Sequence, residues 1–248
     1  MTAADLVTAL NLPAGALVGQ RVPKKLLLEN GAPTAVDKRY INEGVEELFW
    51  VAALKPTTIG VPEYRDDVRE YLEIAVIRMI LRPAAKSTRL IELVHRAIPY
   101  PLLLISEMSG VLDVSAAHIR WSQGETGKTV LDGDIVTVRV DGEGKGAFLA
   151  AMSLGRQPRV SLHALYQGWI NTLLSLQAAR VTGNFAIPST PDHAAARQEA
   201  LRECERLEDE IAWLRAAATK ERQIPRQVDL NLELKRLQAD YEAARAKL

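Results

Sequence analysis

The C-terminal part of the chain carries two apolar series whose members recur every three or four residues. This spacing places each series on one face of a helix, as in the seam of a coiled coil. Between them lies KERQIPRQ, where Pro225 suits the first turn of a second helix. The pattern predicts an antiparallel helical hairpin with arms of ~35 Å. The series are Cys204, Leu207, Ile211, Leu214 and Ala218, then Leu230, Leu234, Leu237, Tyr241, Ala244 and Leu248.

A coiled-coil tail of this kind indicates a protein partner or self-association. Trp213 lies off the seam, with Ala212 and Ala216 beside it. A large aromatic side chain there needs cover from a partner or from the protein's own body, and interfaces are enriched in tryptophan. The candidates for partner binding are Leu207, Ile211, Trp213, Leu214, Leu234, Leu237 and Tyr241.

Before the tail, helix-like and strand-like segments alternate until AIPSTPD interrupts them. We predict an α+β domain over residues 1–186, a linker over 187–192 and the helical hairpin over 193–248. The first residues, MTAADLVTALNLP, lack the positive n-region of a signal peptide and predict a short helix capped by Thr2.

The strongest strand pattern is LEIAVIRMILR, residues 72–82, which is rich in β-branched residues and apolar on both faces. It predicts a central strand. A helix capped by Ser87 or Thr88 follows, and then strands at 102–106 and 112–121. The expected fold class is therefore α+β: a mixed sheet built around a β-α-β-β unit with flanking helices, plus the C-terminal hairpin.

Other segments complete this domain. We predict a helix over residues 37–47 that runs into the strand LFWVAAL, and a long amphipathic helix over 161–181. A strand over 130–140 is interrupted at Asp132-Gly133-Asp134.

The charge balance excludes a global attraction to nucleic acid or to anionic membranes, since 31 basic residues face 31 acidic ones. Any basic surface must be local. The single cysteine, Cys204, excludes an intrachain disulfide and a multi-cysteine zinc site, and it fits a reducing compartment. Apolar runs stay well short of the ~20 residues of a membrane span, so we expect a cytoplasmic protein without membrane contact.

GETGKT, residues 124–129, resembles the end of a phosphate-binding loop, whose backbone N–H groups cradle phosphates at a helix start. The required earlier glycine is replaced by Ser122, and VLDGDIVTVRV follows where a helix is needed. A polar hairpin loop is the better interpretation.

A metal-dependent nuclease or other hydrolase is an alternative function. Asp132, Asp134, Glu143 and Lys145 could imitate a core in which carboxylates hold a divalent ion and a lysine orients water, with Glu107 or Asp113 as further candidates. Against this, Glu143 and Lys145 lie in a glycine-rich turn, where ligands are poorly fixed.

The four histidines, His95, His118, His163 and His193, show no metal-ligand spacing. We expect ordinary histidines, and no metal or cofactor. His95 and Arg96 fall on the last turn of a predicted helix, where positive charge complements the dipole. The catalytic residues, if any, are unknown.

Basic residues cluster in two stretches and could line a groove for nucleic-acid phosphates. The alternative is that they solvate helix faces and pair with nearby carboxylates. The candidates are Arg21, Lys24, Lys25, Lys38, Arg39, Arg78, Arg82, Arg89 and Arg96.

Four stretches resemble, in order, a bacterial family known only as domain-of-unknown-function family 4391: VPKKLLLENG, DKRYINEGVEELFWVAALKPTTIGVP, EYLEIAVIRMIL and LIELVHRAIPYPLLLISE. The resemblance covers residues 21–140, and 154–185 more loosely. It supplies no activity and no catalytic residues. It implies a partner class, because such proteins are often encoded beside helicases and DNA methyltransferases of restriction or phage-defence islands.

The leading hypothesis is a non-enzymatic accessory subunit that docks to a nucleic-acid-processing enzyme of a restriction-modification or phage-defence system, with DNA phosphates as a further contact. The metal-dependent nuclease or other hydrolase is one alternative. A stand-alone DNA-binding or RNA-binding protein is another.

Overall fold

A computed structural model describes residues 2–125, 127–142 and 144–248. The chain divides into two compact units, one up to Leu173 and one from Leu174 to Leu248, so the boundary falls inside a single long helix. The helices are α1 (Ala3–Ala9), α2 (Lys24–Asn30), α3 (Ala35–Gly44), α4 (Pro56–Ile59), α5 (Ser87–Ala97), α6 (Lys145–Met152), α7 (Leu162–Thr182), α8 (Pro191–Lys220) and α9 (Ile224–Arg245). The strands are β1 (Leu17–Arg21), β2 (Val45–Leu54), β3 (Tyr64–Arg65), β4 (Glu70–Tyr71), β5 (Ile74–Leu81), β6 (Leu102–Met108), β7 (Val111–Trp121) and β8 (Thr129–Arg139).

The first unit is built on a six-stranded sheet in the order β1-β2-β5-β6-β7-β8. Strands β5 and β6 are parallel and are joined by α5, whereas the other neighbouring strands are antiparallel. The predicted β-α-β-β unit is confirmed as β5-α5-β6-β7. The α+β class with a mixed sheet is confirmed with it.

Strand β5 is buried on both faces, as its apolar pattern predicts. Ala75, Ile77 and Met79 belong to a core cluster that includes the inner face of α5. Ile74 and Val76 alternate with them and are also fully buried. Burial of a side chain of this size stabilises the fold by ~1.5–3 kcal/mol, so β5 anchors both layers of the core.

Helix α3 ends earlier than predicted. It begins at Ala35 with Thr34 as its cap, and it stops at Gly44, so residues 45–47 belong to β2. A Cβ atom on Gly44 would lie 2.8 Å from Cδ1 of Leu90 on α5. Helix α3 thus ends where it lies close to α5, a contact between elements that the local pattern does not contain.

The predicted cap of α5 is wrong, because Lys86 precedes the helix and makes no side-chain capping bond. The sequence patterns also missed β1, α2 and α6. Strand β1 contains Gly19 in a left-handed conformation (φ 66°), and its register against β2 shifts between Leu17 and Gln20. Its residues are mostly exposed, so no apolar alternation marks it as a strand.

Strand β8 contains the interruption that the sequence predicts. Ala116 of β7 is opposite Val136, whereas His118, two residues later, is opposite Asp132. Residues 133–135 of β8 therefore stand opposite Ala117 alone, which is a β-bulge, and Gly133 adopts a φ of 88° within it. Residues 122–128 join β7 to β8, as the hairpin-loop interpretation of GETGKT predicts, with Thr126 outside the described residues.

Helices α1, α6 and α7 also belong to the first unit, α7 as far as Leu173. Thr2 caps α1 as predicted, with its hydroxyl accepting from Asp5 N at 3.3 Å. The indole of Trp169 on α7 donates to the carbonyl of Met152 at 2.9 Å. The Trp169 hydrogen bond ties α7 to the end of α6.

The second unit contains the predicted helical hairpin, α8 and α9, and Pro225 lies in the first turn of α9 as expected. Arg197 donates to the Leu248 carbonyl at 3.1 Å and to the Ser175 hydroxyl at 3.2 Å, which joins the hairpin to the end of α7. Helix α8 begins at Pro191. The division into 1–186, 187–192 and 193–248 stays a prediction.

Among the described residues, none of the helices combines the length and the apolar character that a bilayer crossing requires.

Candidate functional site

Neighbouring carboxylates neutralise several of the nine basic residues that the sequence proposes for phosphate binding. Each of these ion pairs joins partners on the same helix or on adjacent strands, as expected for residues that solvate a surface. The pairs are Lys25–Glu29 (3.6 Å), Arg78–Glu47 (2.9 Å) and Arg96–Glu92 (2.7 Å).

Among the nine candidates, Arg89 has the strongest set of hydrogen bonds to carboxylates. Its Nε and Nη2 donate to the two carboxylate oxygens of Asp37 at 2.8 and 3.0 Å, and its Nη1 donates to Glu92 at 2.7 Å. These Arg89 bonds, together with the Thr34 hydroxyl at 2.7 Å, lower the pKa of Asp37 to about 2. Arg89 therefore connects α5 to α3 and has little capacity left for a phosphate.

Three other candidates gather at the end of α3, and we call them the basic corner: Arg21, Lys24 and Arg82. Lys24 Nζ and Arg82 Nη1 both donate to the Asn42 carbonyl, at 3.4 and 3.0 Å, and Arg82 also reaches the Glu43 carbonyl at 3.0 Å. Partial burial lowers the pKa of Lys24, and the nearby charges of Arg82 and Arg21 lower it further. Cations at a helix C-terminus complement its dipole, and here they remain close to one another.

Lys38 and Arg39 lie exposed on α3. The Arg39 guanidinium lies 5.9 Å from the ring centroid of Tyr40. Five of the nine candidates, the basic corner and these two side chains, therefore differ from the four that pair with carboxylates in the described contacts.

The structure brings together five rings that the sequence did not connect: Tyr64, Tyr71, His118, His163 and Tyr166, the ring cluster. His118 and His163 stack with centroids 5.1 Å apart and planes at 25°. Tyr64 stacks on His163 at 4.7 Å and 27°, and Tyr71 meets His163 edge-on at 5.0 Å. Strand β7, helix α7 and the small β3–β4 sheet all contribute to the cluster.

Tyr166 enters this cluster where the pairing of β6 with β7 ends. The last pair is Leu104 with Ser115, and in the same register Leu102 and Ala117 stand opposite each other beyond it. The Tyr166 hydroxyl accepts from the Ala117 amide at 3.0 Å and donates towards the carbonyls of Leu102 (2.7 Å) and Ala117 (3.0 Å). Complete burial raises the pKa of Tyr166. One hydroxyl thus satisfies backbone groups that would otherwise be buried without a partner.

His118 is held as a neutral imidazole. Its Nε2 faces Gln167 Oε1 at 2.8 Å, and the Gln167 amide donates to Asn171 Oδ1 at 2.9 Å, which fixes the amide's orientation. Nε2 therefore carries the proton, and Nδ1 accepts from the Tyr71 hydroxyl at 2.5 Å. Burial lowers the pKa of His118 to about 4. With both nitrogens engaged, His118 bridges β4 and α7 rather than acting as an exposed base.

Asp132 lies beside the ring cluster and is occupied by arginines. It accepts from Arg69 Nε at 2.8 Å, and Arg120 Nε lies 3.7 Å from its other oxygen. Asp66, three residues before Arg69 in the chain, accepts a hydrogen bond from the Tyr64 hydroxyl at 2.8 Å. An aspartate engaged in this way supports the bulge and is poorly placed to receive a metal ion.

The other carboxylates proposed for a nuclease centre are dispersed. Glu107 accepts the Ala3 amide at 3.1 Å, and Asp113 lies 3.4 Å from Arg139. Lys145 begins α6, and Asp134 is exposed. Glu143 lies outside the described residues. Within residues 2–125, 127–142 and 144–248, no three histidine, cysteine or acidic side chains are grouped to hold a metal ion.

His95 occupies the last turn of α5 with Arg96, as predicted, but it is fully buried. Its Nε2 lies 2.9 Å from the Ser115 hydroxyl, and burial lowers its pKa to about 3. His95 and Arg96 border a cavity of about 350 Å³ whose other walls are Ile119, Thr129, Val130 and Leu131. Since Ser115 is also inaccessible, the pair is a buried hydrogen bond in the core.

The partner-binding candidates are mostly used within the hairpin. Leu207, Ile211, Leu214 and Leu234 are buried in the seam between α8 and α9, and Leu237 and Tyr241 pack against them. The Tyr241 hydroxyl also donates to Glu208 at 2.6 Å. Trp213 differs from these six, because 68% of its surface is exposed.

Sequence reasoning missed the ring cluster because its members lie far apart along the chain. Tyr71, His118 and His163 belong to three elements with no shared periodicity. The interruption at Asp132-Gly133-Asp134 was the available signal, since bulges often re-aim side chains beside functional sites.

Neither a curated protein nor a solved structure matches the chain. The family described as "Domain of unknown function (DUF4391)" matches residues 10–240, so it extends into the hairpin, beyond the four stretches that suggested it. Because this match spans nearly the whole sequence, the chain belongs to the DUF4391 family.

Proposed function

We propose that the protein is a non-enzymatic accessory subunit, cytoplasmic, that docks through its helical hairpin onto a larger nucleic-acid-processing enzyme. The enzyme class is a helicase or DNA methyltransferase of a restriction or phage-defence system. The observation that carries the proposal is Trp213, a large aromatic side chain that is 68% exposed on α8.

Trp213 has the properties of an interface anchor. The seam of the hairpin is already filled, so Trp213 is not needed for its closure. Small side chains, Ala212 and Ala216, flank it on the helix, which leaves the indole accessible to a pocket on another protein. Tryptophan is among the residues that most often dominate binding energy at interfaces.

The family resemblance and the basic corner support the choice of enzyme class. Members of the resembling family are often encoded beside helicases and DNA methyltransferases. Three cations concentrated at the end of α3 would add a contact to DNA phosphates once the enzyme is bound. The engagement of Glu107, Asp113 and Asp132 in structural contacts favours an accessory role over a metal-dependent nuclease.

Co-expression with the helicase or methyltransferase encoded beside this gene tests the proposal. We expect the two proteins to co-purify, and we expect Trp213→Asp to weaken the complex at least about thirtyfold, as for a residue worth ~2 kcal/mol. Val160→Asp is the matched control, because Val160 is an 82% exposed apolar residue outside the hairpin. An absent complex, or one that tolerates Trp213→Asp, would contradict docking through this face.

A stand-alone DNA-binding or RNA-binding protein is the second candidate. The basic corner favours it, since Arg21 and Arg82 are close enough to lower the pKa of Lys24, and the opposing effect of nearby Glu46 is smaller. Such a protein would bind nucleic acid without the enzyme, with an affinity that falls steeply as salt rises.

A further inference from the structure

Helix α9 carries a second apolar face besides the one that closes the hairpin. Ile224, Val228 and Leu232 are 74%, 51% and 56% exposed and recur at four-residue spacing. The same face continues through Lys235, Ala239 and Ala243, all exposed. We call these six positions the outer stripe. The steps of three and four residues make it a continuous strip along the helix.

The outer stripe is directed away from the hairpin seam. Four seam residues, Leu230, Leu234, Leu237 and Tyr241, each follow a stripe residue by two positions. Two residues turn an α-helix by ~200°, so the two faces lie on opposite sides of α9. The hairpin therefore does not cover this face, although three of its side chains are large and apolar.

The order of large and small residues along the stripe points to its occupant. Large side chains fill the first half, Ile224 to Leu232, and alanines fill the second, Ala239 and Ala243. Two copies of α9 packed antiparallel would place Val228 opposite Ala239 and Ile224 opposite Ala243. Large residues would meet small ones, which is how helices approach closely without a gap or a clash.

The charges beside the stripe agree with the same register. Asp229 and Arg236 flank the stripe on one side and are both exposed. In the antiparallel pair, Asp229 of one copy faces Arg236 of the other, and the two-fold axis repeats the contact. A parallel pair would instead set Asp229 against Asp229 and Arg236 against Arg236, which repel.

The stripe tolerates Lys235 at its centre. In this register the Lys235 stem lies beside Leu232 of the other copy, and its ammonium group can reach solvent at the rim. The overlap from 224 to 243 spans ~30 Å of helix at 1.5 Å per residue.

We propose that a second copy of this chain covers the outer stripe, forming an antiparallel α9–α9 homodimer. This goes beyond docking to an enzyme, because it needs neither nucleic acid nor another protein. It uses the side of α9 opposite the seam, and so it leaves Trp213 on α8 as a separate surface.

Sedimentation velocity of the full chain at micromolar concentration tests the dimer. We expect a dimer, and we expect Leu232→Glu to raise its dissociation constant about a hundredfold or more, since two leucines are lost from one interface. Val160→Glu is the control and should remain dimeric. A monomeric wild type, or a dimer that survives Leu232→Glu, would overturn the proposal.

Two further measurements test the orientation. Asp229→Arg and Arg236→Asp should each weaken the dimer, and the double variant should restore it. Val228→Cys protein mixed with Ala239→Cys protein should cross-link through a disulfide, with the wild type as control because Cys204 is buried. Cross-linking of Val228→Cys only with itself would show a parallel pair and refute the antiparallel one.

The dimer and the enzyme complex can fail independently. Trp213→Asp should remain dimeric while losing the enzyme, and Leu232→Glu should keep the enzyme while becoming monomeric. Loss of both properties in either variant would show that the two surfaces are not separate, and it would overturn this assignment of the stripe.

Discussion

The hydroxyl of Tyr166 is joined to both backbone polar groups of Ala117, the amide and the carbonyl, each at 3.0 Å. The same hydroxyl lies 2.7 Å from the carbonyl of Leu102, so a single side chain on α7 bridges β6 and β7 beyond the last pair of their ladder.

Tyr166→Phe should therefore destabilise the protein by ~1–3 kcal/mol, because the buried amide of Ala117 loses its acceptor. Urea denaturation followed by circular dichroism would measure the change. Tyr40→Phe is a suitable control, since Tyr40 is only half-buried. Equal effects of the two substitutions would contradict the role assigned to Tyr166.

Asp37→Asn should destabilise the protein at neutral pH by breaking the paired hydrogen bonds from Arg89. The pKa of Asp37 is lowered from 3.8 to about 2, so the ionised form is favoured in the folded protein. This contribution is complete above 3.8 and is lost as the pH falls towards 2. The difference in unfolding free energy between wild type and variant should accordingly shrink in acid, and a constant difference across that range would argue against the pair.

His118 predicts a second pH dependence. Burial lowers its pKa from 6.5 to about 4, so unfolding takes up a proton between these values. Stability should fall as the pH drops through this window, by up to about 3 kcal/mol. His118→Gln should flatten that part of the profile. Chemical denaturation at a series of pH values would decide the matter, and an unchanged slope would count against a buried neutral His118.

Gly31→Ala should destabilise the protein by ~1–3 kcal/mol through overpacking. An added Cβ atom would lie 2.7 Å from the Leu93 carbonyl oxygen and 2.8 Å from the Cβ of Ala97, both on α5. Gly146→Ala is the matched control, because Gly146 lies in α6 with open space around it. The control should be neutral or stabilising by up to ~1 kcal/mol. Thermal unfolding of both variants gives the comparison.

Nucleic-acid binding, measured by fluorescence anisotropy on a short DNA duplex, should depend on the basic corner. Lys24→Gln and Arg21→Gln should each reduce the salt dependence of the affinity by about one phosphate contact. Arg96→Gln should have less effect, since Glu92 already holds Arg96 at 2.7 Å. Equal losses from all three would indicate a diffuse surface instead of a corner.

The parts of the fold that follow from local pattern were predictable. Strand β5 is apolar on both faces, and the hairpin seam repeats every three or four residues, so both could be inferred from short windows of sequence. The end of α3 was predicted too late, and Gly44 at that end lies close to Leu90, a residue far along the chain.

The candidate sites, too, have parts that could be predicted from sequence and parts that could not. Clustered basic residues are visible in sequence, and so is Glu92 four residues before Arg96. Glu47 beside Arg78 and Asp37 beside Arg89 become known only when strands and helices are assembled. The stacking of His118 on His163 depends on the placement of α7 beside β7. No local pattern encodes such a meeting of distant residues.

The two edge strands of the sheet are both irregular. The register of β1 shifts near Gly19, and that of β8 shifts at Gly133. A straight edge would offer a row of unpaired amides and carbonyls to a strand of another molecule, and a kinked one does not. Both irregular edges therefore disfavour pairing of the sheet with a strand of another molecule, and with it growth into aggregates.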